Sequence, residues 1–345
     1  MMAREKRCSH RVIQMAAAAL ISVCSLQLIS VAQTTDADAA AQENWRAYMS
    51  QNTMPVEGCY QASYPDTVWE QVECKGVHPD LHPHPVFSKP ADGGDVVGNG
   101  KDYVAQSAGL TSSASGLFVN VTGVKSEKSV GVKAFGGGGI LGPNEYTLQL
   151  NTNYTGTTAA CAGHTGCTVW QQFLYATDYE TKGEAAVFMQ YWLLNWGDSP
   201  CPTGFGNGGN GNCYGNSNYI AAPDVNITSL GSLSLTGATA SGSDVVLFEI
   251  GTTAYQVVAS DSVLDISKVW QQSEFNVVGD AGGSRADFNT PVSVTVFLAL
   301  TDGSSSAPKC VANAGSTGET NNLTLGKCSA GVSAGSPYIE FTEKN

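Results

Sequence analysis

Apolar and polar positions alternate with a period of two over much of this chain, which is the signature of β-strands with one face in a core. Leu117–Val121, Tyr146–Asn151, Val169–Tyr175, Val245–Ile250, Ala254–Val258 and Val292–Leu298 all read as strands. Gly, Ser, Asn and Asp separate them and supply the turns. The run Ala185 to Trp196 is richer still in apolar and aromatic residues. At twelve residues it is too short to cross a membrane as a helix. Its β-branched and aromatic content favours a buried strand. A Gly/Asn-rich loop then runs to Cys213. Ser267 to Gln272 reads as a single helical turn, and no long period of 3.6 is read beyond the first residues.

These patterns predict an all-β fold of roughly 12–15 strands. The expected form is a two-sheet antiparallel β-sandwich, a concanavalin-like jelly roll with disulfide-stapled loops. Glycine supplies 39 of 345 residues, above the usual share of ~7%, as many tight turns require.

The first 32 residues carry a basic start (Arg4, Lys6, Arg7, Arg11), an apolar run from Val12 to Val23, and the small-residue stretch Ser30-Val31-Ala32. That is the layout of a secretory signal peptide. Residues 33–100 are expected to form an N-terminal strap or linker with one disulfide loop, and 101–345 the sandwich domain. Alternating proline in Gly76 to Pro85 forces extended backbone there. His78, His82 and His84 could ligate a metal, but a solvated strap is the simpler expectation, and no metal or cofactor is expected.

Four of the 17 Lys and Arg and one of the 30 Asp and Glu lie within residues 1–32, so cleavage moves the formal net charge from −13 to −16. Clustered cations are absent, which argues against nucleic acid as a partner. The sparse charge limits self-repulsion when carboxylates protonate, so the fold could tolerate acid. Cys8 and Cys24 leave with the signal. The other eight fall into close sequential pairs: Cys59/Cys74, Cys161/Cys167, Cys201/Cys213 and Cys310/Cys328. Local disulfides in that pairing are expected, as in a secreted monomer without membrane attachment after cleavage.

Serine-hydrolase, zinc-protease and phosphate-loop patterns are absent. Chemistry would fall to carboxylates and amides. Gln190 stands within the apolar Ala185–Trp196 run, where a buried amide must be hydrogen-bonded or cost about 1–3 kcal/mol. Glu274 stands between Trp270 and Phe275-Asn276-Val277-Val278. Partial desolvation there would raise its pKa and suit it to general acid/base work. Solvent exposure on alternate strand positions is the plainer reading of the same residue.

A Trp-led strand (Trp170 to Tyr175), an aromatic strand bearing Gln190 with Tyr191-Trp192, and a later Trp-led segment (Trp270 to Glu274) follow one another in an order that resembles the glutamic peptidases of the eqolisin type and the related neprosin group. The likeness covers roughly residues 145–300. It implies a secreted, acid-acting sandwich enzyme with Gln190 and Glu274 as catalytic dyad. Trp170, Gln172, Tyr191, Trp192 and Trp270 would then line the substrate site, and the substrate would be a peptide. The alternative reading is an extracellular carbohydrate-binding protein that takes a glycan on exposed aromatics, or a structural, adhesive protein with no site.

Overall fold

The computed structural model describes residues 38–76, 102–131, 141–240, 242–280, 284–312 and 319–345. The proposed signal peptide and the His78–His84 strap lie outside these residues. Among the described residues, 21 strands form two large antiparallel sheets and one small sheet.

The first sheet runs in the order Glu70–Val72, Gly58–Ser63, Thr253–Ser260, Ser243–Ile250, Leu233–Ala240, Ser113–Thr122, Ser293–Thr301, Ser336–Lys344, Thr324–Ser333. The second runs Lys309–Ala312, Tyr103–Gln106, Gln272–Gly279, Tyr146–Thr152, Thr168–Thr181, Glu184–Leu194, Asn212–Asn216, Gly206–Gly209, with Ile220–Pro223 also on Glu184–Leu194. The chain crosses repeatedly from one sheet to the other, so neighbours in a sheet are often distant in sequence. This is the double-sheet winding of a jelly roll. Thr320–Asn321, Arg285–Phe288 and Glu127–Val130 make the small sheet.

The core lies between the two large sheets. Phe173, Tyr175 and Phe275 point inward from the second sheet and pack on Phe118 and Phe248 of the first. Phe118 and Phe275 stand 5.1 Å apart, and Tyr175 stacks on Phe248 at 4.0 Å. Close approach is bought by two glycines. A Cβ on Gly237 would come within 2.3 Å of the Phe173 ring, and one on Gly116 within 2.1 Å of the Phe275 ring. Neither position can hold a larger residue without moving an aromatic.

Three features differ from the sequence reading. Residues 38–51 form an α-helix. Its buried large side chains are Trp45 and Met49, one turn apart, which pack on Ala62, Leu247 and Ala254. That stripe is too narrow to stand out in an Ala-rich segment. The Trp45 indole also donates to the carbonyl of Asp66 at 2.6 Å. Next, Gly58–Ser63 and Glu70–Val72 are the last two strands at one end of the first sheet, with Glu70–Val72 at its edge, rather than a strap lying over it. Finally, the strand number exceeds expectation because pieces such as Thr320–Asn321 and Gly206–Gly209 carry no apolar alternation. The helical turn near Ser267 is present as a 3-10 turn at Ile266–Lys268.

All four disulfides join the sequential pairs Cys59–Cys74, Cys161–Cys167, Cys201–Cys213 and Cys310–Cys328. Such bonds persist in oxidising compartments. No described helix is long and apolar enough to cross a membrane.

Candidate functional site

Side chains alternate across a strand, so the residues between the core aromatics of the second sheet point away from the first sheet. On this outer face the register aligns one row across five strands. Glu274 pairs with Asn151, Asn151 with Gln172, Gln172 with Gln190, and Gln190 with Asn216. Residues directly opposite in antiparallel strands share a face and touch.

The row is hydrogen-bonded along its length. Asn151 Nδ2 donates to Glu274 Oε2 at 3.0 Å. Gln172 Nε2 donates to Asn151 Oδ1 at 3.0 Å and to Gln149 Oε1 at 3.2 Å. The Trp192 indole donates to Gln190 Oε1 at 2.9 Å and to Gln172 Oε1 at 3.2 Å. Gln190 Nε2 donates to Asn216 Oδ1 at 3.1 Å. Glu274, Asn151 and Gln172 are each only 2% exposed, whereas Gln190 is half-buried. A polar row this deeply buried is unusual, and its bonds offset the cost of desolvation.

An aromatic row runs beside it. Trp170 pairs with Trp192 and Trp192 with Tyr214. Their rings stand 6.1 and 5.4 Å apart, tilted by 33° and 31°, and belong to a cluster separate from the main core. On the other side of the polar row, Asn276 donates to Asp102, and to Glu343 at 3.4 Å. The Asp102 carboxyl is pushed well above the usual carboxylate range, first by burial and then by Glu274 and Glu343, against the Asn276 hydrogen bond.

The structure separates the expected site residues into three groups. Glu274, Gln172, Gln190, Trp170 and Trp192 share the outer face. Gln190 and Glu274 do not meet, because three strand spacings of about 4.8 Å put their backbones about 14 Å apart. Gln172 is the glutamine nearer Glu274. Tyr191 and Trp270 lie in the core rather than on the outer face. Tyr191 falls between Gln190 and Trp192 in the alternation and so faces inward. Trp270 precedes its strand, packs on Phe173 at 5.6 Å, and donates to Gln272 O and Ser273 Oγ.

Asn151, Gln149, Asp102 and Asn276 were not singled out from sequence. Thr147, Gln149 and Asn151 alternate with Leu148 and Leu150, the pattern that a half-buried strand shows when its polar residues face water. Polar positions at period two on several strands at once are the signal that could have found them. No group of three or more His, Cys, Asp or Glu among the described residues is arranged to hold a metal ion.

No family model matches this chain, and no curated protein matches it. Among solved structures, the kappa-carrageenase of Pseudoalteromonas carrageenovora, in complex with an oligotetrasaccharide of kappa-carrageenan, aligns at 7% identity and a TM-score of 0.24. The alignment covers 70% of this chain and 66% of that one. A likeness at that score carries no argument about fold or activity.

Proposed function

We propose that this protein is a secreted hydrolase that works in acid on an extended extracellular polymer, with a peptide bond as the bond it cleaves. The observation that carries the reading is the buried Glu274–Asn151–Gln172 row on an outer sheet face, beside an aromatic row. A carboxyl held out of water and oriented by an amide is equipped for general acid/base work. Glu274, when ionised, takes a proton from water as the water oxygen attacks the acyl carbon. The proton then passes to the leaving nitrogen. The Gln172 amide lies two strands away, bonded to Gln149 and Asn151. A substrate carbonyl that replaces one of those acceptors would receive a donor as its oxygen becomes negative. The order of motifs, which resembles that of glutamic peptidases, supports the choice of a peptide bond, with Gln172 in the place first given to Gln190.

Carbohydrate binding is the second reading. Trp170, Trp192 and Tyr214 beside Asn and Gln side chains supply the residue types for it, but the rings are 1%, 0% and 6% exposed, so a sugar could pack on them only where that face opens. A secreted adhesive protein would need neither row to be accessible.

The test is a peptide-library digest by the purified protein from about pH 3 to 7, a window around shifted carboxyl pKa values. Glu274→Gln and Gln172→Ala are expected to lower the rate by about 10²–10⁴-fold. Gln190→Ala is expected to keep most of it. No cleavage at any pH, with specific retention of glycans on an array, would replace the hydrolase reading with the carbohydrate one.

A further inference from the structure

Asp102 immediately precedes the strand Tyr103–Gln106, in which Val104 is the register partner of Glu274. The antiparallel register therefore sets Asp102 level with Asn276 and diagonal to Glu274. The hydrogen bond from Asn276 Nδ2 to Asp102 Oδ1 agrees with that placement. Asp102 is 1% exposed and Glu274 2%. The two carboxyls are within hydrogen-bonding reach of each other. Yet Asp102 Oδ2 is buried and receives no donor among the described residues. Its neighbour Glu274 is also an acceptor, unless one of the pair carries a proton. Glu343, from the strand Ser336–Lys344 of the first sheet, adds a third acid. Like charges this close and this dry cannot all ionise.

We propose that Asp102 is a positioning residue for Glu274: it keeps one proton on Oδ2 and donates it to the Glu274 carboxylate. The hydrogen bond holds Glu274 ionised where water is scarce. Asp102 keeps its own proton throughout, while Glu274 accepts the proton of the attacking water. That role in turnover rests on the hydrolase reading, but the shared proton does not. Burial, Glu274 and Glu343 all act on Asp102 in the same direction, toward protonation.

The experiment is a pH titration of the whole folded protein carrying ¹³C at the aspartate carboxyls, followed by NMR. The Asp102 signal is assigned by its absence from Asp102→Asn. If that variant does not fold, through-bond correlation to the Asp102 backbone amide assigns it instead. Asp102 is expected to keep its proton well above the ordinary aspartate range, because burial and the neighbouring Glu274 and Glu343 all favour the protonated form. Glu274→Gln is expected to lower its midpoint by at least about one unit, as for strongly interacting sites. A midpoint near the ordinary ~4, or one unmoved by Glu274→Gln, would overturn the inference. The titration needs no substrate. A protein that cleaves no peptide can still show the shared proton, and an active hydrolase with Asp102 ionised would sink this inference alone.

Discussion

The two faces of the second sheet are built from the same strands and buried to a similar depth, yet they are made of opposite materials. Inward stand Phe275, Leu150, Phe173 and Met189, each almost wholly buried. Outward, one residue along each strand, stand Glu274, Asn151, Gln172 and Gln190. The inner face gains from removing apolar surface from water. The outer face gains little, because hydrogen bonds there mostly replace bonds to water. Stability therefore belongs to the inner face. A polar row that is costly to bury and contributes little to folding is what a site for chemistry looks like.

The largest effect expected is that of pH, because carboxyls are buried on both sides of the sheet. Glu127 is raised to about 9 by burial, then by Glu145 and Asp287. Asp244, between the sheets, is raised to about 8 by burial, then by Asp261. Asp280 is pushed up as well, by burial and by Glu145 and Glu127. A carboxyl whose native pKa exceeds its unfolded value binds its proton more tightly when folded. The stability it brings is complete below about pH 4 and is lost as pH rises toward 8 and 9. Tm measured by circular dichroism should thus fall steadily from acid to alkaline pH. A flat or rising Tm would show that these groups are solvated.

Next in size is Phe173→Ala on the inner face. It removes a ring seated over Gly237 and against Trp270. The expected cost is about 3–5 kcal/mol in denaturant unfolding. A loss under about 1 kcal/mol, as at a site outside the core, would remove the contrast between the faces.

Asn151→Ala on the outer face should cost less, about 1–3 kcal/mol, since it strips a bond from Glu274 and one from Gln172. If the proposed hydrolase function holds, its loss of cleavage should exceed what the unfolded fraction explains. Equal losses of folding and activity would assign Asn151 to the scaffold.

Much of this contrast was legible in the chain. The strands at Tyr146–Asn151, Val169–Tyr175 and Ala185–Trp196 followed from apolar and β-branched content, and the cysteine pairs from their spacing. The inner face followed too, because Leu148 and Leu150 on one strand, and Phe173 and Tyr175 on the next, recur with a period of two. What could not be read was the burial of the other half. Gln149 and Asn151 alternate as residues in water do, and only strand neighbours far off in sequence make them one row with Gln172 and Glu274. The same gap misplaced Tyr191, whose aromatic ring suited a site while its position in the alternation sent it to the core. The helix at 38–51 escaped because Trp45 and Met49 alone carry its stripe.

The central claim is that the outer row serves chemistry rather than stability, and Glu274→Gln tests it most directly. Thermal unfolding of this variant and of wild type, at neutral pH, is the measurement. Removing a charge from beside Asp102 and Glu343 should leave Tm unchanged or raise it, as happens when a strained functional group is neutralised. A fall in Tm as deep as that of Phe173→Ala would contradict the account and make Glu274 part of the scaffold.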